Sequence, residues 1–141
     1  MQIKYQCIYL FQSTIGKKKD FFPIKIGVSS LPHRRLQEIN GSNPYPVIMI
    51  WTSRNFHPKH AVNIERALHK FFTSRNSHIH NEWFELSHAQ INWILGIFSS
   101  ETDAEKIIKS IDDFQDMTIN DHLRHMMSFK KSTDLVGSPA H

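Results

Sequence analysis

Cysteine is nearly missing from this chain: Cys7 is the only one among 141 residues. No internal disulfide can form, and a structural zinc centre, which usually shows thiolates, is not expected. His57 with His60 and His78 with His80 have ligand-like spacing but no thiolate partners. No apolar stretch approaches the roughly 18 residues that a bilayer-spanning helix needs. The opening run MQIKYQCIYLFQ alternates too strongly with polar residues for a signal peptide. An intracellular, cytoplasmic protein with no membrane partner is therefore expected. Internal repeats are lacking too. A disordered composition is excluded, because 40% of the residues are hydrophobic, with ten Phe and three Trp, enough for one core. Acidic side chains are the minority: 13 Asp and Glu against 17 Lys and Arg leave a formal charge of +4. That balance fits a polyanionic partner without requiring one.

What is present reads as a mixed chain. Met1, Ile3, Tyr5, Cys7, Tyr9 and Phe11 alternate with polar residues, and Ile8 and Leu10 make the far end apolar on both faces. That pattern predicts a strand that becomes central. The polar loop STIGKKKD separates it from a second strand, FFPIKIGV, which puts Ile24, Ile26 and Val28 on one face and Lys25 and Gly27 on the other. A helix follows, with Ser29 or Ser30 as its cap, Pro32 in its first turn, Leu36 and Ile39 facing inward, and Gly41 as its stop. Val47 to Trp51 is a short buried-strand candidate. Ala61, Ile64, Leu68 and Phe71 recur at helical spacing. TSRNSHIHN reads as a loop and EWFEL, Glu82 to Leu86, as an outlying or edge strand. Beyond it come three helical stripes: Ile91, Ile94, Leu95 and Phe98; Ala104, Ile107, Ile108 and Ile111 behind a cap at Ser100 or Thr102; and Ile119, Leu123 and Met126. The order β-β-α-β-α-β, then helices, predicts an α/β (α+β) domain with a small, mostly antiparallel sheet. The expected division is a core over 1–98, a helical extension over 99–130 and a tail over 131–141.

The stretch PIKIGVSSLPHRRLQEI sets two arginines, Arg34 and Arg35, in the first turn of a helix just behind a strand. Together with CIYL, KIG, IERALHKFF and EWFEL in that order, it resembles the GIY-YIG endonuclease superfamily. The nearest likeness is the phage-associated branch with KIG in place of YIG, labelled after open reading frame 172 of phage T5 or meiotically up-regulated gene 113. The resemblance runs from about Tyr5 to Trp93. It implies a three-stranded antiparallel sheet flanked by helices and metal-dependent cleavage of DNA phosphodiesters. Carried over, Tyr9 matches the tyrosine ending the first motif, Lys25, Ile26 and Gly27 the second motif, Arg35 the catalytic arginine and Glu65 the metal-binding glutamate. Cys7 stands where the first motif has glycine, and Lys25 where the second has tyrosine.

Phosphodiester hydrolysis needs a positioned water, neutralised equatorial oxygens and a stabilised leaving oxyanion. Arg35 suits the second task, since a guanidinium grips two phosphate oxygens and a helix N-terminus favours anions. Arg34, about 100° away around the helix, faces flanking phosphate or solvent. Glu65 suits the third task through Mg²⁺ (or Mn²⁺), which needs few protein oxygens. Tyr9 orients or deprotonates water, with Lys25 lowering its pKa or contacting phosphate itself. His69, four residues after Glu65, is on the same helix face and serves as base, as orienter of Glu65 or as a holder of water. Lys17, Lys18 and Lys19 read as a solvated loop tip or, in a nuclease, as DNA-backbone contacts. Trp83 and Phe84 are offered by sequence either to bases or to the core. A single active site implies nicking by a monomer or weak homodimer. The alternatives are a non-catalytic DNA-binding module on the same fold, a basic protein-binding partner, and cleavage of RNA. Packing, dimerisation and DNA affinity are the open roles of the C-terminal helices.

Overall fold

The structure is a computed structural model that describes residues 2–16, 20–41 and 44–116. Its central strand is β1, Gln6–Ser13, whose side chains from Cys7 to Phe11 are all buried. A strand apolar on both faces needs cover on both, and β1 receives it. It pairs antiparallel with β2, Phe21–Ser29, on one side and with β3, Val47–Phe56, on the other. Beyond β2 lie β5, Trp83–Ser87, and then β4, His78–His80, giving the sheet order β3-β1-β2-β5-β4.

The α+β class and the antiparallel sheet agree with the sequence reading, but the sheet holds five strands where the resemblance implies three. The loop expected at TSRNSHIHN contains β4. β5 is interior, not an edge. β3 reaches Phe56 rather than stopping at Trp51, and its register against β1 slips twice along the way. Near the first slip the Ile8 N–H donates to Ser53 Oγ at 2.8 Å, so a hydroxyl takes the place of a ladder carbonyl. Polar residues from Thr52 to Asn55 hide this half of the strand from a hydropathy reading.

Among the described residues four helices flank the sheet. Behind β2 comes α1, Pro32–Gly41; Ser29 is the serine that caps its approach, its Oγ accepting from the Leu31 N–H at 2.9 Å. The longest, α2, Pro58–Ser74, starts at His57, whose ring accepts from the Lys59 N–H, with Pro58 at the first helical position. Next is α3, His88–Ser100, which opens on a capping box between Ser87 and Gln90. Asp103 caps α4, Ala104–Asp112, one residue beyond the expected Thr102, because its carboxylate accepts from the N–H groups of Glu105 and Lys106. A 3₁₀ turn, Asp113–Asp116, follows. Among the described residues no helix is long and apolar enough to cross a membrane. The stripe at Ile119, Leu123 and Met126 and the lysines 17–19 lie outside the described residues.

The two sheet faces do different work. Ile8, Leu10, Ile24, Ile26, Phe84 and Leu86 face α2, α3 and α4 and form the main core. Inside it Trp93 stacks on Phe71 with centroids 4.5 Å apart. Ile107 and Ile111 of α4 are fully buried in the same cluster. Phe84 is thus a core residue. On the opposite face Tyr9, Phe11 and Val47 make a smaller cluster, covered by Leu36 and Ile39 of α1 and flanked by Met49 and Trp83. No residue of α1 is fully buried, so this helix rests lightly on the sheet.

Truncating Ile107 to Ala removes a fully buried branched chain from the main core and should cost about 3 kcal/mol of unfolding free energy in urea titration. A loss below about 1 kcal/mol would mean that α4 is not packed as described.

Candidate active site

Tyr9 and Gly27 are direct partners across the β1–β2 ladder, on the face that carries α1. A Cβ built on Gly27 would sit 2.3 Å from the Tyr9 hydroxyl and 2.4 Å from the ring carbon that bears it. The glycine of KIG is required here for space: the phenol lies flat across the backbone of β2. Phe11 stacks on the same ring at 3.9 Å and completes its bed. From above, α1 brings the Arg35 guanidinium of its first turn beside the phenol, close enough for each group to shift the other's pKa. The Arg35 side chain stays 44% exposed, so its remaining N–H groups are open to a ligand. Glu38, three residues on, lies 3.5 Å from Arg35 and 3.8 Å from Arg34, whose side chain is largely in solvent. The two arginines thus divide as helical spacing predicts, one to the site and one to its rim.

The other half of the site is built where a strand runs out. β5 pairs with β2 only as far as Lys25 opposite Trp83. The Ile26 N–H still finds the Glu82 carbonyl at 3.0 Å. The Ile26 carbonyl has passed the last strand partner, and His69 Nε2 of α2 donates to it at 2.8 Å. A buried carbonyl needs such a donor. This contact sets the ring as the Nε2–H tautomer and commits that nitrogen, so His69 is not a free base through Nε2. Burial lowers its pKa, against the Ile26 carbonyl, which raises it. Of the three roles offered by sequence, the structure gives His69 a tethering one: it draws α2 against the open edge of β2. Glu65, one turn earlier on α2, is carried to the same gap.

Lys25 shares the Tyr9 face and is a buried charge, 7% exposed. Its Nζ donates to Glu82 Oε2 in a close ion pair. Glu82 is the site residue that sequence reasoning missed. It stands 57 positions from Lys25, in the turn after Asn81, which adopts the left-handed φ of 49°. Its one signal was its place as the acidic residue that opens EWFEL.

These charges shift one another. Glu65 is pushed up to about 7, chiefly by burial and next by the negative charge of Glu82, against the pull of Lys25 and Arg66. Tyr9 is pushed up to about 12, first by burial, although the Arg35 guanidinium works the other way. The cation that acts on the phenol is Arg35, whereas Lys25 is neutralised by Glu82. The expectation that Lys25 lowers the Tyr9 pKa is therefore corrected: Tyr9 is a protonated phenol at neutral pH, suited to orient a water rather than to deprotonate it.

The structure brings Tyr9, Lys25, Arg35, Glu65 and His69 to one region, adds Glu82, and leaves Arg34 at the rim. His57 caps a helix and His78 donates to the Asn81 carbonyl. Trp83 is half-buried against the Tyr9 cluster. Concavities of about 390 Å³ and about 310 Å³ lie elsewhere, beside Phe71 and Arg75 and beside Trp93.

Among the described residues no three His, Cys, Asp or Glu side chains gather around one point. A divalent ion at Glu65 would thus draw most of its shell from water and substrate. That fits Mg²⁺, which binds through one or two carboxylates and keeps its waters. A carboxylate held protonated near neutrality by burial and a neighbouring anion is the state that a cation would relieve.

The α+β fold is consistent with a small GIY-YIG-like domain. Residues 6–99 match the T5orf172 domain, well over half of the chain, and the protein belongs to that family. Neither a curated protein nor a solved structure matches it.

Two outcomes test the site. Gly27→Ala drives a methyl into a buried ring and should lower stability by about 2 kcal/mol by thermal unfolding while displacing Tyr9 from Arg35. Unchanged stability would refute the close approach. Glu65 has a folded pKa above its ordinary 4.5, so its contribution is fully present below 4.5 and is lost as pH rises to about 7. In EDTA, Glu65→Gln should therefore gain about 1–2 kcal/mol on wild type between pH 5 and 8, a discounted figure because part of the carboxylate is in water. A pH-independent difference would refute the shift.

Proposed function

We propose that this protein is a metal-dependent DNA endonuclease that hydrolyses phosphodiester bonds and nicks one strand of a duplex, of the phage, satellite or mobile-element kind with the KIG motif. The observation that carries the reading is the Tyr9–Gly27–Arg35 contact with Glu65 across the same cleft. Family membership supports a nuclease or DNA-binding role.

Arg35, half-exposed beside the phenol, neutralises two non-bridging oxygens of the scissile phosphate. Tyr9, beside Arg35, accepts a hydrogen bond from the attacking water and so orients it, and the water's proton passes on to solvent. Glu65, with Glu82 nearby, would hold Mg²⁺ or Mn²⁺, which would supply charge stabilisation to the departing oxygen. His69 keeps α2, and so Glu65, in place. Arg34 contacts flanking phosphate, and Lys17, Lys18 and Lys19 extend the backbone track. One site per chain makes a nick the product of a monomer or weak homodimer. The 1–98 segment is the catalytic unit, working in the cytoplasm.

A second reading, a DNA-binding module without catalysis, has one observation in its favour: Lys25 is neutralised by Glu82 and Tyr9 stays protonated. A supercoiled plasmid separates the two. With Mg²⁺, wild type should yield open circles, EDTA should abolish them, and Arg35→Ala and Glu65→Ala should each lose two or more decades of rate. Binding without relaxation, indifferent to Glu65→Ala, would favour the second reading. Relaxation of an RNA target alone would move the activity to RNA.

A further inference from the structure

The Lys25–Glu82 pair joins two unlike partners. The Lys25 side chain is 9% exposed and the Glu82 side chain 39% exposed. The carboxylate is thus the solvent-facing member, set over a cation that has almost no other route to water. Lys25 lies on the Tyr9 face, directly opposite Phe11 on β1 and Trp83 on β5, so its stem is walled by rings and its ammonium has little room to turn away. Glu82 sits in the turn before β5 with its backbone carbonyl held by the Ile26 N–H, and its side chain can swing without breaking that bond. Its negative charge also acts on Tyr9, Glu65 and His69. A carboxylate there presents two anionic oxygens to a cation, the same chemistry that a phosphodiester presents.

We propose that Glu82 is a positioning residue that acts as an internal anion: it neutralises Lys25 in the free protein and is displaced from it by a phosphate of the bound nucleic acid. The inference rests on the reading of this cleft as a phosphate site, and it adds a mechanism to it. A buried lysine with no counter-ion is costly to fold around. Glu82 supplies the counter-ion until the substrate does. Binding at this position is then an exchange of anions, and it contributes little net affinity. Without Glu82 the same phosphate would release a condensed counter-ion on its own account and add to the salt dependence of binding.

The test measures binding in EDTA, where no cleavage is needed, to a fluorescent duplex across a range of salt. Glu82→Gln should bind about 3- to 10-fold more tightly than wild type at low salt, and the slope of log affinity against log salt should steepen by about 0.9, one phosphate's worth. Glu82→Asp, which keeps the anion, should return both values toward wild type. Adding Lys25→Met to Glu82→Gln should abolish the gain. If the gain persists without Lys25, it is only the loss of a negative charge near DNA, and the proposal is overturned. Equal or weaker binding by Glu82→Gln, with melting temperature unchanged, overturns it as well. Because the readout is binding, the nuclease reading stands or falls separately: a tighter, steeper Glu82→Gln whose wild-type parent never nicks plasmid keeps the exchange and removes the catalysis. No binding of wild type to duplex overturns both.

Discussion

A phenol lying across a glycine is the contact on which the rest of the cleft depends. Tyr9 and Gly27 are opposite one another in the ladder, and the absence of a Cβ lets the ring descend onto the backbone of β2. Phe11 then holds it from the side. Only in that posture does the hydroxyl stand where α1 delivers Arg35. Since α1 buries no residue completely, Leu36 and Ile39 against the Tyr9 cluster and the Arg35 guanidinium beside the phenol are what locate the helix over the sheet. Packing and chemistry therefore meet at the Tyr9 ring.

The second constraint is an ending. β5 stops pairing at Lys25, one residue before a carbonyl of β2 that still needs a donor. His69 meets that need, and by doing so fixes which turn of α2 faces the gap. Glu65 is brought there as a consequence of helical spacing. The turn before β5 places Glu82 in the same opening, against Lys25. A carboxylate in partial burial beside another carboxylate is held near its neutral form, and this is the environment in which a divalent cation finds the most to stabilise.

The division of labour between sheet faces explains how so small a domain carries both a core and a cleft. One face has α2, α3 and α4 and a continuous cluster of aromatic and branched residues. The other has a single lightly packed helix and a three-residue cluster around Tyr9. Stability comes mainly from the first, which leaves the second open enough for Arg35 to remain half in water.

The alternating start of the chain, the capped and amphipathic helices and the order of motifs were legible in the residues alone, because strand period, helix period and cap chemistry are local. So were Tyr9, Arg35 and Glu65 as candidates, through a family resemblance that the comparison with known domains supports. The reason that KIG must end in glycine was not legible, since it depends on a ring 18 positions away. Nor was β4, whose His-Ile-His triplet is too short and exposed for periodicity to mark. Glu82 stayed hidden for the same reason of distance: its partner is 57 residues earlier, and only the antiparallel return of β5 beside β2 sets the two charges face to face. Local chemistry determined the elements; long-range strand pairing decided which charges share a solvent-poor space, and with that the protonation states of the cleft.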